Sequence, residues 1–120
     1  MDAPMNKDRR RDPRTNAATH IHVKIQSAPG AHELEGRTIP TKSMDISVGG
    51  LCMKLELPLP AHSFLELQIT FLDTSERFLL TGSVVWNDPK SHIVGIQFNL
   101  ANYPRLDAWK HAFARLTPID

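Results

Sequence analysis

The chain has 120 residues, 41% of them hydrophobic, and a formal net charge of +1. That size and composition predict one domain with its own core and exclude a disordered chain. Apolar runs such as FLELQITFL are too short to span a bilayer, and the basic N-terminus lacks the apolar segment of a secretory signal.

The first element is an arm. Residues 1–18 carry no apolar period, and they hold Pro4, Pro13 and many polar side chains. They read as a flexible basic arm without regular structure of its own. Its charge is concentrated: Lys7, Arg9, Arg10, Arg11 and Arg14 stand against Asp8 and Asp12. The remainder of the chain is close to neutral, whereas a general nucleic-acid binder would spread its basic residues over a face.

Alternation starts at THIHVKIQS (19–27), where Ile21, Val23 and Ile25 face one way and His20, His22, Lys24 and Gln26 the other. This is the period of a half-buried strand. APGAHE is a turn region. A second strand is expected over about 35–47, distorted near Pro40, which lacks the N–H a ladder needs. DISVGG makes a tight turn, and GLCMKLEL (50–57) alternates again. After the loop PLPAHS, FLELQITF (64–71) turns Leu65, Leu67, Ile69 and Phe71 inward. RFLLTGSVVWN (77–87) follows, with Gly82 as a bulge or a point of close approach. HIVGIQFNL (92–100) is the sixth strand.

The period then changes. Leu106, Trp109, Phe113 and Leu116 recur at helical spacing. Asn102 is the expected N-cap, with Pro104 in the first turn. Residues 19–116 therefore read as an all-β domain with one helix: a six-stranded antiparallel β-barrel plus a C-terminal α-helix. Barrel closure removes the exposed edges that six short strands would otherwise leave, and a two-sheet sandwich is the competing architecture.

Candidate chemistry is sparse. His20 and His22 share a strand face and would make half a zinc site, but no third ligand stands near in sequence, so they read as polar residues on a wet face and no metal is expected. Asp45 and Ser47 lack the base that a catalytic serine needs, and neither G-x-S-x-G nor H-E-x-x-H occurs. No enzyme is expected. The single cysteine, Cys52, cannot form an intramolecular disulfide, which fits a reduced, cytoplasmic setting. Trp86 is either a packed or rim aromatic, or a surface on which a ligand stacks.

The arginines and DISVGG have a shared reading. Arginine offers a planar fork of donors to phosphate and to guanine O6 and N7, and it stacks on bases. Aspartate accepts from guanine N–H groups, serine bonds phosphate or base, and glycine permits close approach to the backbone. A compact, dianionic, guanine-bearing ligand would use them all.

Arg10 and Arg14 satisfy R-x-x-x-R, and Asp45, Ser47 and Gly50 satisfy D-x-S-x-x-G. Both motifs, in this order and about thirty residues apart on a strand-rich pattern, resemble the PilZ family, as do GSVVWN and VGIQF further on. The resemblance spans about residues 8–116. It implies a six-stranded β-barrel that binds the bacterial second messenger cyclic di-GMP, with no other cofactor. It implies further that Arg10 and Arg14 grip guanine and phosphate, that Arg9 adds a phosphate contact, and that Asp45 and Ser47 read the guanine. Gly50 would allow close approach, and Trp86 falls where some relatives place an aromatic near the nucleotide. The expected function is a receptor whose arm orders on ligand binding and signals to a partner protein. The alternative is a PilZ-like adaptor that binds no nucleotide.

Overall fold

Strands β1 (Thr19–Ser27), β2 (Thr38–Thr41), β3 (Ser43–Ile46), β4 (Gly50–Lys54), β5 (Phe64–Phe71), β6 (Arg77–Asp88) and β7 (Ile93–Asn99) form one antiparallel sheet in the order β2-β1-β5-β6-β7-β4-β3. This is a computed structural model, and it describes residues 14–116. The period-two reading holds where it was strongest. Ile21, Val23 and Ile25 of β1 and Leu65, Leu67, Ile69 and Phe71 of β5 are all fully buried. Phe78, Leu80 and Val84 of β6 and Val94, Ile96 and Phe98 of β7 complete the inner face. Burying one face of these strands is what gives such a sheet its register, because a slip of one residue would turn each apolar set outward.

The expected second strand is two strands, so among the described residues the sheet has seven rather than six. Thr38–Thr41 pairs with β1, placing Ile21 opposite Thr41 and His22 opposite Pro40. Ser43–Ile46 pairs with β4, with Ile46 opposite Leu51. The break lies at Lys42, not at Pro40, because β2 is an edge strand where a missing N–H is tolerated. β2 and β3 therefore stand at opposite ends of the ladder although a single residue separates them, and the sheet must curl until its ends approach. Among the described residues no ladder pairs β2 with β3, so the six-stranded closed barrel is not what forms. Side chains bridge the seam instead. Thr19 Oγ1 lies 2.8 Å from Ser43 Oγ and accepts from the Ser43 N–H at 2.9 Å, while Thr41 Oγ1 donates to the Lys54 carbonyl at 2.8 Å.

Helix α1 (Leu106–Ala114) closes one opening. It begins later than expected: Arg105 is its N-cap, and Asn102 takes a left-handed φ of 60° in the preceding turn. Trp109 is fully buried, with ring centroids 5.0–5.9 Å from Phe71, Phe78, Phe98 and Phe113. Arg115 at the C-terminus bonds both carboxylate oxygens of Asp73 and pairs with Glu76 at 3.2 Å. Gly82 is a point of close approach and not a bulge. It pairs in register with Leu65 and Phe98, and a Cβ there would stand 2.8 Å from Ile96 Cγ2. The irregularity of β6 lies at Val85, between Val84 and Trp86.

Candidate functional site

The β3–β4 hairpin is the framework of the site. Ser47 N–H donates to the Gly50 carbonyl at 2.8 Å, leaving Val48 and Gly49 as a two-residue loop. Gly50 is not there for conformational freedom, since positive φ among the described glycines occurs at Gly30 and Gly36. A Cβ on Gly50 would collide with the Ile96 carbonyl of the neighbouring strand, so the glycine lets β4 pack against β7.

The root of the arm docks on this hairpin. Thr15 N–H donates to the Ile46 carbonyl at 2.8 Å, and Ile46 N–H returns the bond to Thr15 at 2.9 Å. That two-bond bridge sets Arg14 over the motif. Arg14 Nη1 donates to Ser47 Oγ at 3.1 Å and to the Gly50 carbonyl at 3.2 Å, and Nη2 lies 3.7 Å from Cys52 Sγ. Arg14 Nε stands 3.1 Å from Asp45 Oδ1, an ion pair whose atoms are buried but out of line for a hydrogen bond. A charged donor and acceptor in that relation retain capacity for a better-aligned partner. The arginine side chain is 18% exposed and the aspartate 32%, so the pair reaches solvent at the mouth of the site.

Ser47 is nearly enclosed. It is 5% exposed, and its hydroxyl accepts from Arg14 and contacts the Gly50 carbonyl at 3.3 Å. Its geometry is that of a group that holds the arginine, with little surface for a base. Arg14, Asp45, Ser47 and Gly50 thus come together as the paired motifs require. Arg9 and Arg10 lie outside the described residues.

Trp86 is further along the same surface. Asp45 pairs with Cys52, Cys52 with Gly95, and Gly95 with Trp86, so the four form one row across β3, β4, β7 and β6 on the outer face. Three strand spacings separate Asp45 from Trp86, roughly 14 Å. The indole does not stand free. A Cβ on Gly95 would strike Trp86 Nε1 and Cε2, so the ring lies across the glycine and leans toward β4. It remains 44% exposed, an aromatic surface on the same outer face as the charged pair.

Sequence reasoning missed three participants. Alternation in GLCMK puts Cys52 on the outer face, and the register sets it opposite Asp45. Gly95 had no signal until its neighbour across the sheet was known. Thr15 lies in a stretch without period, and nothing local marks its bridge to Ile46. His20 and His22 do touch, with Nε2 atoms 3.3 Å apart, but among the described residues no group of three potential metal ligands forms. No described helix is long and apolar enough to cross a membrane.

With this geometry in view, the comparisons are consistent. The PilZ domain model matches residues 8–107, and the chain belongs to the PilZ family. The inhibitor of motility MotI/DgrA of Bacillus subtilis superposes with a TM-score of 0.62 at 22% identity, over 89% of this chain and 50% of that one. This chain thus spans about half of that inhibitor's length. The PilZ domain of YcgR from Escherichia coli, solved with c-di-GMP, gives 0.63 at 16% identity over 90% and 91% of the two chains. The PilZ domain of CeSA from a cellulose-synthesizing bacterium gives 0.59 at 13% identity, over 82% and 92%. No curated protein matches the chain.

Proposed function

We propose that this PilZ domain is a cyclic di-GMP receptor, a binding module without catalytic activity, whose ligand lies along the row from Arg14 and Asp45 to Trp86. The observation that carries the reading is the docking of Arg14, the second arginine of R-x-x-x-R, on Asp45, Ser47 and Gly50. The ligand is a dianion bearing two guanines. Arg14 supplies donors to guanine or phosphate, and the Asp45 carboxylate accepts from guanine N–H groups. Ser47 acts through Arg14, and the exposed face of Trp86 offers a stacking surface for a base. Arg10, with Arg9 beside it, brings further positive charge from the arm, which orders over the ligand. The output is a change in surface charge and arm position that a partner protein reads in the bacterial cytoplasm.

A second reading is favoured by one feature. Arg14 already directs donors to Ser47, Gly50 and Cys52 of its own chain. A domain whose arginine is satisfied internally would serve as an adaptor, with no nucleotide at all.

Chemical-shift mapping separates the two. The receptor reading expects saturating cyclic di-GMP to move the amide signals of Thr15 and Ser47–Gly50 and the indole signal of Trp86, with GTP moving none. An unchanged spectrum would support the adaptor.

A further inference from the structure

The carbonyls of the hairpin loop are both captured from elsewhere in the fold. Phe98 N–H of β7 donates to the Gly49 carbonyl at 2.9 Å, and Trp109 Nε1 of α1 donates to the Val48 carbonyl at 2.8 Å, across 61 positions of sequence. The second bond is unusual in its surroundings. Trp109 is fully buried among four phenylalanines, and its single polar atom points out of that aromatic cluster at the loop of the motif hairpin. An apolar side chain would fill the space as well, so packing alone does not call for an indole. Asp45 and Ser47 precede the loop and Gly50 follows it. The height and tilt of the loop therefore set where the Asp45 carboxylate and the Ser47 hydroxyl meet Arg14.

We infer that Trp109 is a positioning residue for nucleotide recognition: through the Val48 carbonyl it fixes the hairpin that holds Asp45, Ser47 and Arg14, and it ties helix α1 to occupancy of the site. The inference rests on the receptor reading above. Because coupling between two sites is reciprocal, a ligand that favours the bonded form of the hairpin also strengthens the docking of α1. The helix is then the element through which binding reaches the far side of the sheet.

The test compares three full-length variants with the wild type. Trp109→Phe removes the N–H with some loss of volume. A Trp109 isostere carrying sulfur in place of the N–H, incorporated site-specifically, keeps the ring shape and guards against misfolding of the first. Phe113→Leu loosens α1 packing but leaves the indole bond, and serves as the stability control. Calorimetry with cyclic di-GMP, well below each variant's Tm, gives Kd, and amide exchange reports on Ser47 and on α1. The isostere and Trp109→Phe are expected to raise Kd roughly three- to tenfold, the worth of one buried hydrogen bond. Phe113→Leu should lower Tm with Kd near that of the wild type. In the wild type, saturating ligand should slow exchange in α1, and in the isostere this protection should shrink. An isostere with wild-type Kd, or Kd shifts that follow Tm equally in all three variants, would overturn the positioning role while leaving the receptor reading intact. A wild type that takes up no cyclic di-GMP would overturn the receptor reading itself, and this role with it.

Discussion

Arg14 is the residue on which the site turns, and its contacts divide its effects in two. Its guanidinium bonds Ser47 and the Gly50 carbonyl and pairs with Asp45, so it supports the apo hairpin as well as any ligand. Arg14→Ala is therefore expected to weaken cyclic di-GMP binding by about 2–4 kcal/mol and also to cost about 1–2 kcal/mol of apo stability, read by calorimetry and by denaturant melts. Arg10→Ala should weaken binding as well, read by the same calorimetry. R-x-x-x-R by itself carries no sign that Arg14 docks on its own folded domain. Gly50 carries the opposite lesson. Its place in D-x-S-x-x-G invites a ligand role, yet the neighbouring Ile96 carbonyl leaves no space for a side chain. Gly50→Ala should destabilise the domain by about 1–3 kcal/mol in urea, whatever the ligand does.

Among the elements, β7 and α1 each place something the motifs need. Gly95 of β7 lets the Trp86 indole lie across the sheet toward Cys52. Gly95→Ala is expected to push the ring outward, red-shift the Trp86 emission and weaken ligand binding several-fold, with the fold retained because the clash is with a side chain. Unchanged emission and affinity would mean that the indole does not need this seat. Helix α1 is clamped at its end by Arg115, whose bonds hold the Asp73 carboxyl below its ordinary value of 3.8. A carboxyl depressed by folding stabilises the native state above the unfolded value, and that contribution disappears as pH falls through the lower folded value. Asp73→Asn should therefore flatten the acid side of the stability curve below about pH 4 and leave the slope near neutrality unchanged. Much of this was legible beforehand. The period of THIHVKIQS and FLELQITF marks β1 and β5 to the residue, because each buries one full face. The start of α1 was not, since Asn102 looks like a cap but spends its left-handed backbone on the turn before the helix.

At the scale of the molecule, the fold solves an edge problem in an unexpected way. Six strands closed by hydrogen bonds were expected, and the chain instead bends at Lys42 so that one extended segment serves both ends of the ladder. Alternation cannot announce such a change of partner, because both halves keep the same local pattern. The result matters for function, since β3 then stands beside β4 with the arm bridged to its outer side through Thr15 and Ile46. The site is consequently built from segments far apart in sequence: the arm, one hairpin, and the outer faces of β7 and β6. The residue types of the proposed guanine-binding site are visible in the sequence. Their assembly depended on register, which only the folded sheet supplies.

The central claim is that this assembled face binds cyclic di-GMP. Calorimetric titration of the full chain with cyclic di-GMP at moderate salt, with GTP as control, tests it most directly. The account expects saturable binding that Arg10→Ala and Arg14→Ala both abolish or severely weaken, and no heat from GTP. Absence of heat and of any thermal shift across a broad range of ligand concentration would contradict it, and the docked Arg14 would then be a structural clasp in an adaptor.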